Sequence, residues 1–367
     1  MTNPSAINSG MPGTSNPGRT AIFALTRKGA ELAARLNARL PESTCYCNSR
    51  YALPGMIEFG KLSDVFPEVW HEYESIVCIM SCGIAVRAIA PLAKDKLLDP
   101  AVVVLDQAGR YAISLLSGHI GGANELARKV AAITAGQAVI TTASDLEDKP
   151  AVDLLAKEAG LAIENKSMLG RVAAAILDEE PLWVFDPDRI LLNRFPEDFP
   201  LRVVPAGQGS ASEHLDLMRS SPGIWVSELP MPSGAMGLIL RPASLVVGIG
   251  CNRGTSAGEI IAFVERTLEE RNLSPLAIRN FTSIDIKSDE PGLLEAAAHF
   301  EKPICFCARE QLESISVPNP SETVERHVGA KSVCEASALR SAGTTELLIP
   351  KRKSGNCTLA IARVSCR

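Results

Sequence analysis

Short apolar runs alternate with amphipathic stretches along most of the chain. An apolar run at 20–26 has the composition of a buried strand, and in the stretch that follows, 28–40, leucine recurs every fourth residue. That recurrence is the spacing of one helix face. The chain therefore opens with a predicted strand followed by a predicted helix.

The same alternation continues through both ends of the chain. It predicts further strands at 43–48, 76–80, 99–106, 111–116, 138–143, 243–250 and 303–307. It predicts further helices at 63–73, 84–92, 123–135 and 256–271, with a helical stretch inside 321–341. A glycine-containing turn favours a hairpin for 99–106 with 111–116. The stretches 345–350 and 358–364 are predicted to form a closing hairpin around the basic residues Lys351, Arg352 and Lys353.

From 151 to 241 the pattern weakens. Helix-like stretches at 151–159 and 167–179 precede short predicted strands at 182–185, 201–204 and 224–227, within proline-rich sequence. Trp183 and Trp225 lie in two of these strands, and we expect them to be packing residues. We interpret this segment as a middle linker domain.

At 367 residues the chain is too long for one typical core, so several domains are expected. The predicted fold class is α/β, with two α/β domains joined by a smaller, less regular α/β middle segment. The predicted boundaries are a disordered tail at 1–19, an N-terminal α/β domain at 20–146, the middle linker domain at 147–242 and a C-terminal α/β domain at 243–367. The tail is rich in Ser, Asn, Gly and Pro and lacks the apolar region of a signal peptide.

Charge and composition narrow the function. A formal net charge of −5 provides no global basic field for nucleic acid, and the apolar runs are too short to span a bilayer. The ten cysteines include two C-x-C pairs but no C-x-x-C pair with matching histidines, which disfavours a protein-held zinc. We expect a cytoplasmic protein with reduced thiols, among which Cys78, Cys305 and Cys307 act as small hydrophobes in apolar strands.

The most informative stretch is Ser117-Gly-His-Ile-Gly-Gly-Ala-Asn124, at the join between a predicted strand and a predicted helix. A helix start leaves its first N–H groups unpaired, and Gly121 and Gly122 would let a substrate oxygen approach them. His119 is a side chain that can take and return a proton near neutral pH. The stretch therefore predicts a general base beside an oxyanion site, although a tight capped turn explains the same spacing equally well. Asp106 is either a partner of His119 or a turn cap.

A second glycine-rich turn follows the predicted strand at 243–250. Gly248, Gly250 and Gly254 have the spacing G-x-G-x-x-x-G, one residue longer than the dinucleotide-binding fingerprint. The spacing instead indicates a strand that presents backbone amides and Arg253 at a helix start, an arrangement suited to an anion.

At these residues the chain resembles the cobalt-precorrin-5A hydrolases (CbiG type) of anaerobic cobalamin biosynthesis. The matching stretches in the first half are Gly83-Ile-Ala-Val-Arg87, Asp99-Pro-Ala-Val-Val-Val104, Leu115 to Asn124 and Ile140-Thr-Thr-Ala143. Those in the last domain are Val247 to Gly254, Ser283-Ile-Asp285 with Lys287 and Glu290, Val328 to Glu335, and Thr358 to Ala362. They cover both ends of the chain in the family's order.

The resemblance implies hydrolysis of a δ-lactone on a ring-contracted cobalt tetrapyrrole, with loss of acetaldehyde to give cobalt-precorrin-5B. Such a reaction needs a base, an oxyanion site and cations for peripheral carboxylates. We assign the first two roles to His119, with Asp106 as its possible partner, and to the Gly121 and Gly122 amides. The expected substrate-binding residues are Arg87, Lys96, Arg110, Asn124, Asn252, Arg253, Asp285, Lys287 and Glu335. Cobalt would arrive inside the substrate, so no protein-held metal or other cofactor is expected.

The sequence leaves two other functions open. A non-catalytic corrinoid carrier of the same pathway would need the carboxylate clamps but no proton-transfer group, so His119 favours the enzyme. A nucleotide-dependent enzyme is disfavoured by the glycine spacing and by the lack of a Walker-type Lys-Ser/Thr pair. The expected partners are the corrinoid substrate and, by transient hand-over, neighbouring pathway enzymes.

Overall fold

The computed structural model describes residues 19–95, 98–119, 121–142, 149–207, 214–321 and 331–364. The chain divides into two compact units, 1–151 and 152–367. The first unit contains one sheet, and the second contains two. Helices are interleaved with the strands of each sheet, which confirms the predicted α/β class.

The first unit is built on a seven-stranded sheet in the order β3-β2-β1-β4-β5-β6-β7. Its strands are β1 (Thr20–Ala24), β2 (Ser43–Asn48), β3 (Ile57–Phe59), β4 (Ser75–Ile79), β5 (Ala101–Leu105), β6 (Tyr111–Leu116) and β7 (Gln137–Val139). Its helices are α1 (Arg27–Asn37), α2 (Leu62–Glu72), α3 (Cys82–Ile89) and α4 (Ala123–Thr134). Strand β3 was not predicted, because its three residues are too few to show a period.

Apolar residues cover both faces of this sheet. Leu32 and Leu36, members of the repeated leucines, are buried on α1, whose start is capped by the Thr26 side chain at 3.1 Å from the Gly29 amide nitrogen. On the other face Phe23 stacks on Tyr46 with ring centroids 4.9 Å apart. A sheet covered on both faces explains why its parallel strands read as continuous apolar runs.

Because β6 runs in the opposite direction to β5, the loops that follow the strands lie at two opposite ends of this sheet. Strands β1 to β5 are mutually parallel, but β6 runs antiparallel to β5, which confirms the predicted hairpin. Strand β7 then pairs parallel to β6. The loops that follow β1, β4 and β5 therefore lie at one edge, here named the Asp106 edge. The loops that follow β6 and β7 lie at the opposite edge, here named the His119 edge.

The middle segment forms a sheet in the order β10-β9-β11-β12-β8. Its strands are β8 (Leu161–Ile163), β9 (Leu182–Phe185), β10 (Leu201–Val203), β11 (Gly223–Val226) and β12 (Gly237–Pro242). Its helices are α5 (Val152–Glu158), α6 (Leu169–Leu177) and α7 (Leu215–Ser220). Trp183 and Trp225 are buried in its core, as expected. Strands β8 and β12 were not predicted, because they lie in irregular sequence; they pair antiparallel with each other.

The last sheet has the order β15-β14-β13-β17-β16. Its strands are β13 (Leu245–Cys251), β14 (Ile278–Ile284), β15 (Ile304–Cys307), β16 (Leu347–Ser354) and β17 (Cys357–Arg363). Its helices are α8 (Ala257–Glu270), α9 (Pro291–His299), α10 (Arg309–Glu313) and α11 (Val333–Ala342). Strands β16 and β17 form the predicted closing hairpin. Cys305 is exposed on the edge strand β15, so its assignment as a buried hydrophobe is wrong, whereas Cys78 and Cys307 are buried.

Ion pairs connect the middle segment to the last sheet within the second unit. Arg363 on β17 bonds Glu228 at 2.6 Å and also pairs with Asp188. Glu164 accepts hydrogen bonds from Arg241 and from the Ser274 hydroxyl, both on its Oε2 atom, at 2.6 and 2.8 Å. In the part of the chain that the structure describes, no helix combines the length and apolarity needed to cross a membrane.

Candidate functional site

His119 lies in the turn that joins β6 to α4. Ser117 and Gly122 both adopt left-handed backbone conformations there, with φ of 57° and 86°. These two reversals let the chain leave the strand and enter the helix over a short segment, as the sequence predicts. The His119 side chain is half-buried in this turn.

The backbone amides at the start of α4 are largely used within the turn itself. Gly122 donates to the His119 carbonyl at 2.9 Å, and Ala123 donates to the Ser117 carbonyl at 3.1 Å. The expectation that Gly122 offers a free amide is therefore wrong, because the tight turn pairs this donor internally. No described residue accepts a hydrogen bond from the Gly121 amide, which remains a candidate oxyanion donor.

Close packing also accounts for the glycines of this turn. A Cβ atom on Gly121 would lie 2.3 Å from the Ser117 Cβ, and one on Gly118 would lie 2.9 Å from the Asn124 Oδ1. Real Cβ atoms do not approach other atoms so closely, so a larger residue at either position would displace the turn. The backbone of the turn that carries His119 therefore requires glycine at both positions.

Asn124 is buried and connects two loops of the His119 edge by hydrogen bonds. It is 3% exposed, its backbone amide donates to the Gly118 carbonyl at 3.0 Å, and its Nδ2 atom donates to Thr142 Oγ1 at 3.2 Å. Thr142 follows β7, whereas Asn124 begins the helix after β6. Contrary to the expectation of direct substrate binding, Asn124 holds the turn in place and is not exposed to a ligand.

Asp106 is the cap of the β5–β6 hairpin and lies far from His119. Its carboxylate accepts hydrogen bonds from the backbone amides of Ala108, Arg110 and Tyr111 at 2.8 to 2.9 Å. Burial raises its pKa, but these bonds outweigh that effect and lower the pKa below the ordinary value. Asp106 lies at the end of β5, and the His119 turn lies beside the start of β5. This five-residue strand spans about 15 Å, so the proposed partnership with His119 is wrong.

The predicted cations of the first unit do not converge on His119. Arg110 is exposed in the hairpin turn at the Asp106 edge. Arg87 is exposed on α3, where its Nη1 atom donates to the Gly83 carbonyl of the same helix at 3.2 Å. Lys96 lies outside the described residues. The Arg110 backbone amide bonds Asp106, and the contact of Arg87 uses one of its five guanidinium N–H donors.

A cleft of about 460 Å³ opens at the Asp106 edge, at the ends of β1 and β4. After β1 the chain adds β2 and β3 on one side of β1, and β4 then pairs with the other side of β1. The strand order therefore reverses between β1 and β4. Ligands of open α/β sheets commonly bind at such a point. The cleft is lined mainly by apolar side chains together with Thr26, Ser81, Cys82, Asp106, Gln107 and Tyr111. His119 is not among its lining residues.

A second cavity, of about 550 Å³, lies at the ends of β13 and β14 and is named here the C-terminal cavity. It brings together the predicted residues Asn252, Arg253 and Lys287. Its other lining residues are Gly250, Cys251, Ser283, Ile284, Ile286, Ser332, Val333, Lys351, Asn356 and Thr358. Burial raises the pKa of the Cys251 thiol, so this cysteine is not an activated nucleophile.

A buried carboxylate organises one wall of the C-terminal cavity. Glu290 is 2% exposed and accepts a hydrogen bond from the Gly254 amide at 2.7 Å. Its other oxygen lies 3.5 Å from Lys287 Nζ and 3.8 Å from Arg253 Nη1. Arg253 also bonds Asp289 at 2.9 Å and thereby lowers the pKa of that carboxyl. Glu290 thus fixes the turn and both predicted cations.

Two predicted ligands have structural roles instead. Asp285 is exposed beside the cavity and its carboxylate accepts a hydrogen bond from the Ile286 amide at 2.8 Å. Glu335 is completely buried and accepts hydrogen bonds from the Asn319 amide, the Asn319 side chain and the Lys351 amide at 2.8 to 3.1 Å. The structure therefore contradicts direct substrate binding by Glu335.

The glycines of the second motif serve close packing of the strand. A Cβ on Gly248 would lie 1.9 Å from the Cys334 carbonyl oxygen, and one on Gly250 would lie 2.7 Å from Thr358 Oγ1. Helix α11 and strand β17 therefore approach β13 more closely than any larger residue would allow. This packing explains the motif without a dinucleotide.

Four lining residues of the C-terminal cavity were not predicted as site residues: Lys351, Ser283, Ser332 and Thr358. Lys351 belongs to the basic closing hairpin, whose strands are distant in sequence from the turn after β13. The sequence does offer one indication for Ser283 and Thr358, because each lies in a motif shared with the family. Their hydroxyls donate to the carbonyls of Ile249 and Gly250, at 2.7 and 3.2 Å, and so shape the cavity wall.

Comparison with known proteins places the chain in a class and then in a family. Three family models match successive parts of it: the cobalamin synthesis G N-terminal model at 64–145, the cobalamin biosynthesis central region at 150–242 and the cobalamin synthesis G C-terminus at 245–362. These matches define a three-part α/β protein of cobalamin synthesis.

Individual relatives match over nearly the whole chain. A cobalt-precorrin-5A hydrolase from Priestia megaterium is 36% identical over 95% of both chains, and one from Salmonella typhimurium is 33% identical over 89% of this chain and 92% of its own. The crystal structure of a cobalamin biosynthesis protein G homolog from Sulfolobus solfataricus covers 94% of this chain and 97% of its own, at 23% identity and a TM-score of 0.37. The protein belongs to the cobalt-precorrin-5A hydrolase family.

Proposed function

We propose that this protein hydrolyses cobalt-precorrin-5A. It opens the δ-lactone of the ring-contracted cobalt tetrapyrrole and releases acetaldehyde, giving cobalt-precorrin-5B in anaerobic cobalamin biosynthesis. The observation that carries the proposal is the 36% identity to a cobalt-precorrin-5A hydrolase over 95% of both chains. Sequence similarity of this extent includes all three sheets, and not one shared domain.

The His119 turn supports a hydrolytic role. Lactone hydrolysis needs a base that removes a proton from water as the water oxygen attacks the carbonyl, and a donor for the oxyanion that forms. We assign the base to His119 and a donor to the Gly121 amide. Gly122 is excluded as a donor, because its amide is bonded to the His119 carbonyl.

The substrate itself supplies the remaining chemistry in this proposal. Cobalt enters as part of the tetrapyrrole, so no protein-held metal or other cofactor takes part. We place the reaction in the cytoplasm, with transient hand-over of the corrinoid between neighbouring pathway enzymes and without nucleic acid or membrane. Arg253 and Lys287 would meet peripheral carboxylates because they line the C-terminal cavity, and Arg87 would do so from the exposed face of α3.

The test is incubation of the purified protein with cobalt-precorrin-5A. We expect stoichiometric acetaldehyde, trapped as a hydrazone, together with a corrinoid product whose mass corresponds to lactone opening and loss of the two-carbon fragment. A matched reaction with heat-denatured protein measures spontaneous release. Tight binding of the corrinoid without acetaldehyde would instead support the carrier function and contradict the hydrolase.

A further inference from the structure

We propose that the C-terminal cavity binds side-chain carboxylates of a tetrapyrrole and that Lys351 is their principal anchor. The proposal rests on the proposed function, which supplies a ligand with an apolar ring and several peripheral acids. It adds a binding residue that sequence reasoning missed and assigns the cavity a class of ligand.

The charges around the cavity favour a polyanion. Arg253, Lys287 and Lys351 line it from three separate segments, and no carboxylate is among its described lining residues. Two of the cations already have protein partners, since Arg253 bonds Asp289 and Lys287 lies near Glu290. No carboxylate of a described residue lies within ion-pair distance of Lys351, whose Nζ atom contacts only the Asn319 carbonyl, at 3.4 Å.

A buried carboxylate holds the backbone at Lys351. Its amide donates to the Glu335 carboxylate at 3.0 Å, and the same carboxylate holds Asn319 through two further hydrogen bonds. Glu335 is completely buried, so this anchor lies inside the protein. Because the backbone of this half-buried lysine is already held, only its side-chain torsions must be ordered when it meets an anion.

The other lining residues of the cavity suit the edge of a tetrapyrrole ring. Ile284, Ile286 and Val333 provide apolar surface, and Ile286 is 49% exposed. The Ser283 and Thr358 hydroxyls donate to protein carbonyls, and the charged groups of the lining are the three cations. A volume of about 550 Å³ is typical of a small-molecule site and admits part of a tetrapyrrole with its acid side chains.

Binding of two stable corrinoids tests the proposal without turnover. Cobyrinic acid carries free carboxylates, and cobinamide carries amides in their place. We expect Lys351→Ala to weaken cobyrinic acid binding by about tenfold or more, because a charge-assisted hydrogen bond is lost. Binding of cobinamide should change by less than about twofold, and Lys351→Arg should restore part of the loss. Lys353→Ala, two residues away on β16 and outside the cavity lining, should bind both ligands as the parent does.

Lys287 provides a second test within the same cavity. Because Lys287→Ala would leave the buried Glu290 carboxylate without its nearest lysine, the better variant is the pair Lys287→Ala with Glu290→Gln. We expect it to weaken cobyrinic acid selectively, and dissociation constants measured by titration calorimetry decide the outcome. Unfolding temperatures identify any variant that fails to fold.

Certain outcomes would overturn the carboxylate site. These are parental affinity for cobyrinic acid in both Lys351→Ala and the double variant, equal loss for the two corrinoids, or no binding of cobyrinic acid by the parent. Failure of the proposed function gives a different result: cobyrinic acid binding still depends on Lys351, but cobalt-precorrin-5A yields no acetaldehyde.

Discussion

The Nδ2 atom of Asn124 donates a hydrogen bond to Thr142 Oγ1 across 3.2 Å, and this contact joins the turn after β6 to the loop after β7. Because Asn124 is 3% exposed and its backbone amide also bonds the Gly118 carbonyl, it controls the geometry of the segment that carries His119. The residue is therefore a positioning residue and not a substrate ligand.

Asn124→Ala should lower kcat by about tenfold while KM changes little. The His119 turn would lose its tie to Thr142, and misplacement of a base weakens only the transition state. The free energy of unfolding should also fall, by about 1 to 3 kcal/mol, because buried polar groups lose partners. Thr142→Val is the matched control, because it removes only the acceptor of the Asn124 hydrogen bond. We expect it to lower kcat by a smaller factor than Asn124→Ala does. Parental kcat in both variants would contradict the positioning role.

His119→Asn should lower kcat by at least about a hundredfold and leave corrinoid binding nearly intact. Asparagine has a similar size but cannot accept the proton from water, and a general base contributes about 10²- to 10⁴-fold. Single-turnover acetaldehyde release measures the chemical step. A kcat within threefold of the parent would show that His119 is a turn residue and not the base.

Arg87→Ala and Arg253→Ala should raise KM more than they lower kcat. Contacts with peripheral carboxylates are present in both the ground state and the transition state, so their loss weakens both equally. The Arg253 effect should be the smaller one, because its guanidinium is shared with Asp289 and the Ile286 carbonyl. Steady-state kinetics on both variants provide the comparison. An unchanged KM in both would remove these residues from the site.

Asp106→Asn should reduce stability without a direct effect on chemistry. The folded-state pKa of Asp106 lies below its ordinary value, so its stabilising contribution is complete above the unfolded pKa of about 3.9 and is lost as pH falls through the folded pKa. We expect the variant to be less stable than the parent at pH 7, by about 1 to 2 kcal/mol, and this difference to shrink below pH 4. Urea unfolding at several pH values measures it. A difference that is constant with pH would exclude an ionised cap.

Arg363→Ala should destabilise the second unit by about 2 to 3 kcal/mol. The substitution leaves Glu228 and Asp188 without their shared cation, and Glu228 is 8% exposed. Arg309→Ala is the control, since Arg309 and Glu313 form an exposed pair on one helix and should contribute at most about 0.5 kcal/mol. Thermal unfolding monitored by circular dichroism compares them. Similar shifts in the two variants would show that the Arg363 pairs stabilise little.

The pattern of local residues was sufficient to predict most elements of the two end sheets. The repeated leucines of α1, the hairpin of β5 and β6 and the turn that carries His119 all depend on side chains close together in sequence, whose periodicity and turn chemistry are visible directly. The family motifs likewise identified the family. Short strands such as β8 escaped prediction, because three residues carry no period.

Tertiary structure alone decided which of these residues meet. Asp106 and His119 are separated because β6 pairs antiparallel to β5, and strand direction follows from long-range pairing that local sequence does not record. The same long-range packing buries Asn124 and Glu335, which converts two expected ligands into supports. It also brings Lys351 to the cavity of Lys287, although more than sixty residues separate them in the sequence. The residue types were visible in the sequence, but their partners were fixed by which surfaces the three sheets bury.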